Sequence, residues 1–166
     1  MSLLNVCEWL ESTPIGLLVR ESLYGFQILV AIHLLGLTVS VGTLVWFDLR
    51  LLGVSMPALP ISQLYRRIRP WMFGGFAVML TSGSLLLIGF ATYAYGNVYF
   101  RLKIAAIVLA GLNALFFHLV TERRIAEWDA SFRPPLAARL AGLVSMASWA
   151  TVIVAGRMMS YTMFTR

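Results

Sequence analysis

Long apolar runs separated by short polar segments dominate this chain. Four of the runs are long enough to cross a bilayer as a helix, which takes about 20 residues. They extend over about residues 23–47, 71–93, 104–120 and 136–159. The pattern predicts an all-α fold, an integral membrane four-helix bundle, in which residues 1–166 form a single transmembrane domain.

A short amphipathic segment precedes the first span. In the stretch STPIGLLVRES, Thr13 suits the N-cap and Pro14 suits the first position of a helix. The apolar residues Trp9 and Leu10 come just before it. The segment therefore predicts a short N-terminal interfacial helix that lies on the membrane surface.

Composition agrees with a lipid environment. Hydrophobic residues make up 60% of the chain and charged residues only 12%, whereas about a quarter of a soluble domain is charged. The formal net charge of +6 comes from arginines in short loops beside the apolar runs. That placement suits anionic lipid headgroups and not a nucleic acid. Cys7 is the single cysteine, so the chain has no internal disulfide and no CxxC motif.

The cations also predict an orientation. The first and third loops, with the helix ends beside them, carry eight arginines: Arg50, Arg66, Arg67, Arg69, Arg123, Arg124, Arg133 and Arg139. The opposite side carries five cations: Arg20, Arg101, Lys103, Arg157 and Arg166. Because cytoplasmic loops are enriched in Lys and Arg, both termini are expected to face away from the cytoplasm.

Small residues recur within the spans. Gly36 and Ser40 follow His33 on one face of the first span, and the second span contains Gly74, Gly75, Gly83 and Gly89. Such faces let membrane helices pack closely, and they also leave room for a flat ligand. The pattern alone does not choose between these two uses.

His33 is the first candidate functional residue. It lies in the aliphatic stretch LVAIHLLGLTVSVG, about ten residues into the first span and hence roughly 15 Å deep. An imidazole at that depth needs a partner, because an unsatisfied polar group in hydrocarbon is costly. The partner is either a hydroxyl or carbonyl on a neighbouring helix, or a metal or haem iron, or a group in a proton relay.

His118, the other histidine, lies near the far end of the third span, where it can reach the headgroup region. The depths of His33 and His118 in the membrane differ by roughly 10 Å. That separation is too large for both side chains to bind one iron. Met79 and Met146 lie near mid-membrane on the antiparallel spans. A methionine can be an axial ligand of haem iron, although methionines in apolar helices commonly serve packing alone.

Lys103 and Arg157 form a second candidate site, at the side of the membrane that carries both termini. They are either cations that snorkel to the headgroups or a clamp for carboxylates such as haem propionates. Glu21 is the nearest carboxylate that the topology allows. Asp48 and Arg50, at the other end of the first span, predict a local ion pair or a helix anchor. The lack of an acid well inside a span argues against a proton-coupled transporter.

These same residues carry a family resemblance. The segments AIHLLGLTVSVGTLVWFDLRLLG, RPWMFGGFAVMLTSG, FRLKIAAIVLAGLNALFFH and VIVAGRMMSY resemble an uncharacterised family of small four-span bacterial inner-membrane proteins. More distantly, the histidine in the first long span and the LK that opens a later one resemble HemJ protoporphyrinogen oxidases and the membrane part of CopD-type copper proteins. The resemblance implies a multi-pass protein of the bacterial inner membrane, and for such a protein the arginine bias of the loops predicts periplasmic termini. It also implies roles for His33 and Lys103 in haem binding or activity.

Together these observations predict a b-type haem protein that transfers electrons, or oxidises a porphyrin or quinone-type substrate, near the outer leaflet. The candidate cofactor-binding residues are His33, Met79, Met146, Lys103, Arg157 and His118, with His33 as the metal ligand. The alternatives are a cofactor-free membrane scaffold or accessory subunit, and a copper-handling protein that combines His33 with methionine sulfurs. The expected partners are the lipid bilayer and either a second copy of the chain or another membrane subunit.

Overall fold

A computed structural model describes residues 2–56, 58–121, 125–129, 131 and 133–164. In this part of the chain all regular structure is helical. The helices are α1 Leu3–Ser12, α2 Pro14–Glu21, α3 Gly25–Leu51, α4 Ile61–Gly89, α5 Ala91–Gly96, α6 Val98–Phe116, α7 Ile125–Trp128 and α8 Leu136–Phe164, and a π-helical turn, Phe117–Thr121, continues α6. Helices α3, α4, α6 and α8 are long and apolar enough to cross a membrane. The predicted all-α membrane fold is confirmed.

The N-terminal segment forms two helices where one was predicted. Thr13 caps α2 and accepts a hydrogen bond from the Gly16 amide at 3.2 Å, and Pro14 is the first helical residue. Helix α1 was not predicted from the sequence. Its N-cap is Ser2, whose hydroxyl accepts a hydrogen bond from the Leu4 amide at 3.4 Å.

Helix α4 begins at Ile61, well before the predicted start of the second span near residue 71. Its first turns carry the exposed residues Arg66, Arg67 and Arg69, followed by Pro70 inside the helix. An apolar window marks the part of a helix that suits lipid and does not mark where the helix starts. The prediction therefore missed the polar turns that precede the membrane.

The four long helices form two packed pairs. Helix α3 packs mainly on α4, α6 packs on α8, and a contact between α3 and α8 joins the pairs. Side chains from all four helices meet in a buried central apolar layer, formed by Val41, Met79, Ala106, Ala110, Trp149 and Val152. Large apolar side chains remain exposed along the outer faces of the same helices, among them Leu35, Leu80, Val108, Leu112 and Val154. This surface fits contact with a lipid bilayer.

Glycines set the closest approach of α3 to α4. A Cβ atom added to Gly75 would lie 2.7 Å from the Ser40 amide nitrogen and 2.8 Å from the Gly36 carbonyl oxygen. No side chain fits between backbones at that separation. At this level the small residues serve helix packing, which is one of the two uses that the sequence left open.

Helices α3 and α6 begin and α4 and α8 end at the same end of the bundle, the terminal end. At the opposite end Arg50 is fully buried, and its Nε donates to the Leu59 carbonyl at 2.9 Å while Nη2 donates to the Ser131 carbonyl at 3.3 Å. Arg50 thus anchors the end of α3 to two loops, one of the two roles predicted for it. Arg123, Arg124 and Arg166, which contribute to the predicted orientation, lie outside the described residues, and the orientation stays a prediction.

Candidate functional site

The imidazole of His33 is held by a serine on the neighbouring helix. Ser82 of α4 donates its hydroxyl hydrogen to the Val78 carbonyl at 2.6 Å, so its oxygen accepts the hydrogen bond from Nδ1 of His33 at 3.0 Å. In the neutral tautomer with the proton on Nδ1, Nε2 carries the lone pair. A second group that orients the ring through Nδ1 is the usual arrangement of a histidine that binds a metal through Nε2.

Gly83 makes room for the ring. A Cβ atom at this position would lie 3.0 Å from Cε1 of His33. The imidazole therefore lies close to the backbone of α4, next to the serine that holds it. Any larger residue at position 83 would push the ring away from Ser82.

Lys103 of α6 lies at nearly the same level as His33. His33 is the ninth residue of α3 and Lys103 the sixth of α6. At about 1.5 Å per residue they are about 12 Å and about 8 Å from the starts of helices that begin at the same end. The charge of Lys103 acts on the imidazole, and its Nζ lies 3.7 Å from where a Cβ of Gly156 on α8 would be. The site thus draws on all four long helices.

The central apolar layer forms the floor of this site. Met79 lies there, one turn below Ser82 on α4, with its side chain buried against the other members of the layer. Met146 of α8 is half-buried. Both predicted methionine ligands are therefore on the bundle side of their helices, and Met79 takes part in ordinary packing.

Arg157 points to a different neighbour. Its guanidinium lies 4.8 Å from the centre of the Tyr161 ring, and its Nη2 donates to the Tyr161 hydroxyl at 3.3 Å. The residue is exposed, and it follows Gly156, the position that faces Lys103, by about 100° of rotation around α8. A clamp made of Lys103 and Arg157 would require the arginine to leave Tyr161.

His118 lies in the π-helical turn and is exposed. Counted along α6 and this turn, it is about 18 Å further along the bundle than His33. The structure therefore does not bring the two histidines together.

A family comparison matches residues 6–162, which include every residue of this site. The chain belongs to DUF6644, a family of unknown function. Comparisons with curated proteins and with solved structures found no match. The expected membership of an uncharacterised family is therefore confirmed, and the likeness to HemJ and CopD proteins stays a prediction.

Two residues of this candidate site were missed by the sequence argument. Ser82 and Gly156 face His33 and Lys103 across the bundle, yet each lies in a run of similar small residues. Counting depth from the span ends would have placed a hydroxyl near His33 on the second span. It would not have told which of Thr81, Ser82 and Ser84 turns inward.

The terminal end is covered by the N-terminal helices. Glu11 of α1 accepts hydrogen bonds from the Thr92 amide at 2.7 Å and from the Thr92 hydroxyl, and pairs with Arg20 at 3.4 Å. Beside it lies a half-open cavity of about 340 Å³. The cavity is lined by Thr92, Tyr93, Gly96, Asn97, Val98, Tyr99 and Thr162. The side chains of Tyr93, Asn97 and Thr162 bond to one another.

Proposed function

We propose that this protein binds haem b in the terminal half of the bundle, with His33 as an iron ligand and Lys103 as the partner of a propionate. The observation that carries the proposal is the convergence of the two side chains. The ring of His33 is fixed by Ser82 through Nδ1, and Lys103 comes from another helix to the same level. Bound haem would supply one-electron redox chemistry.

The donor set favours haem over a bare metal ion. Among the described residues no group of three or more His, Cys, Asp and Glu side chains could hold a metal. A copper or zinc ion takes most of its ligands from the protein. Haem iron already has four ring nitrogens, so that one or two protein ligands suffice. A single oriented histidine such as His33 fits the second case.

Lys103 favours a ligand that carries a carboxylate. It is half-buried beside an imidazole and a glycine, and no salt bridge of Lys103 is found among the described residues. A cation in a low-dielectric site is stabilised by a nearby anion. The propionates of haem supply such anions, and so do the carboxylates of other porphyrins. Oxidation of a porphyrin or quinone-type substrate is the activity that corresponds to such a site.

The test is the absorption spectrum of the protein purified in detergent from cells supplied with a haem precursor. We expect a Soret band and reducible α and β bands, both lost or strongly shifted in His33→Ala. The matched control, His118→Ala, should keep them. Equal loss in both variants, or an unchanged spectrum in His33→Ala, would contradict the assignment of His33.

The carboxylate contact has its own test. Lys103→Gln should lower haem retention during gel filtration, whereas Arg101→Gln, an exposed cation two positions away, should not. Arg157→Leu distinguishes a carboxylate site formed by Lys103 and Arg157 together from one formed by Lys103 alone. It lowers retention if Arg157 leaves Tyr161 to form the predicted clamp, and leaves retention unchanged if Lys103 acts alone.

A cofactor-free scaffold or accessory subunit is the second candidate, favoured by the bond between His33 and Ser82. That bond alone ties α3 to α4 and satisfies the imidazole. A flat visible spectrum, together with a less stable bundle in His33→Ala, would support this candidate over haem binding.

A further inference from the structure

Asp48 is a buried carboxyl at the end of the bundle opposite the haem site. It lies three residues before the end of α3 and is only 2% exposed. Helix α8 covers it at close range, since a Cβ added to Gly142 would lie 3.1 Å from the Asp48 carbonyl oxygen. The sequence placed this residue at a span end, where water is expected, but packing removes it from water.

Few polar groups reach this carboxyl. The hydroxyl of Ser145 on α8 forms a hydrogen bond with it. Its Oδ2 atom has no hydrogen-bond partner among the described residues. The same holds for the hydroxyl of Ser148, which is also buried and lies one turn further along α8. An acceptor-only carboxylate oxygen and a hydroxyl are thus both left without partners on the two facing helices.

Neighbouring charges are directed elsewhere. Arg50 follows Asp48 by two positions, which places the two side chains on different sides of α3. Its described bonds go to loop carbonyls, and its charge acts on Asp129. Among the described residues, the other titratable groups at this end are the exposed Arg66, Arg67, Arg69, His118, Glu127, Arg133 and Arg139, and the half-buried Tyr65, whose ring packs on Phe47.

We propose that Asp48 is a proton-binding site, occupied at neutral pH, between α3 and α8. An ionised carboxylate shielded from water, with a hydroxyl as its main partner, is strongly unfavourable. A bound proton removes the charge, so that the buried carboxyl no longer needs a counter-ion or several hydrogen-bond donors. Since the α3–α8 contact joins the two helix pairs, the proton also holds the bundle together.

The experiment uses the small number of aspartates. The chain contains only two, Asp48 and Asp129, and Asp129 is held ionised by hydrogen bonds from Ser62. Protein labelled with isotopic aspartate, in lipid nanodiscs at neutral pH, is examined by infrared spectroscopy. We expect one protonated C=O band and one carboxylate band. Asp48→Asn should remove the first, and Asp129→Asn should remove the second.

Two carboxylate bands, or a protonated band that survives in Asp48→Asn, would overturn the proposal, including the case in which a metal cation neutralises Asp48. If Asp48→Asn does not fold, the wild type and Asp129→Asn decide the question alone. Loss of the Ser145 hydrogen bond in Ser145→Ala should shift the frequency of the protonated band, and an unchanged frequency would contradict the assigned environment. None of these readouts depends on whether haem binds.

Discussion

A single methyl group at Gly75 tests the contact that brings His33 to Ser82. In Gly75→Ala the new carbon would lie 2.7 Å from the Ser40 amide nitrogen, against the 3.4 Å at which ordinary contact begins. The obstacle is backbone, so it cannot swing aside. Overpacking of this kind costs about 1–3 kcal/mol, whereas Ala is preferred over Gly in a helix by about 1 kcal/mol.

Gly74→Ala is the matched control. A Cβ at Gly74 meets nothing within 4 Å, so this variant gains the helix preference without the clash. Because both variants gain the same preference, the difference between their unfolding free energies isolates the clash, and we expect about 1–3 kcal/mol.

Unfolding in mixed micelles with increasing denaturing detergent, followed by circular dichroism, measures this difference. Gly75 and Ser82 are two turns apart on α4, so separation of α3 from α4 should also lengthen the 3.0 Å bond between His33 and Ser82. We expect haem absorption to fall in Gly75→Ala only. Equal stability of the two alanine variants would refute the close approach of α3 and α4.

Three further predictions concern the ends of the bundle. Asp129→Ala should lower the unfolding free energy by about 0.5–2 kcal/mol, because Asp129 caps α4. Burial acts to raise the pKa of Asp129, but hydrogen bonds from Ser62 and the charge of Arg50 hold it below the usual 3.8. The stability that ionised Asp129 contributes is therefore fully present above pH 3.8. It disappears as the pH falls through the lowered pKa. Glu11→Ala should detach α1 and speed maleimide labelling of Cys7. Tyr93→Phe should cost about 1 kcal/mol, since its hydroxyl donates to the Met159 carbonyl at 2.8 Å.

Each of these three predictions has its own control. Between neutral and acidic pH, the wild type should lose the stability that Asp129 contributes, and Asp129→Ala should show no such loss. A parallel loss in both proteins would contradict the capping role. Glu8→Ala, at an exposed position of α1, should label Cys7 at the wild-type rate. Tyr95→Phe, also exposed, should match the wild type in stability; if Tyr93→Phe does so too, the bond to Met159 contributes nothing.

The number of spans could be predicted because lipid imposes it. A backbone in hydrocarbon must satisfy its own hydrogen bonds, so an apolar run of sufficient length becomes a helix. Thr13 and Pro14 were equally readable, since a cap depends on adjacent residues only. The start of α4 could not be predicted, because the sequence does not distinguish arginines in the first turns of a helix from arginines in a loop.

Which side chains face the candidate site depends on the rotation of each helix about its axis. That rotation is set by contacts along the whole helix interface, so it could not be predicted from single positions. Ser82 faces His33 across the contact between α3 and α4 that Gly36 and Gly75 make close. Asp48 was placed at the membrane boundary by its position, but α8 buries it. Arg157 shows the reverse case, because its partner Tyr161 is four positions along the same helix, a spacing that sequence alone could have revealed.

The cap on α4 has a consequence for the order in which the protein is made. Pro60, the N-cap residue of α4, gives it no side-chain hydrogen bond, and the bond to the Ser62 amide comes from Asp129, 67 residues later. Synthesis proceeds from the N-terminus, so α3 and α4 leave the ribosome before Asp129 exists. Arg50 of α3 forms its hydrogen bond with Ser131, which is synthesised two residues after Asp129. The first hairpin therefore enters the membrane with an unfinished end, and a nascent chain stalled before Asp129 should be open there to proteolysis while one stalled after α8 is protected.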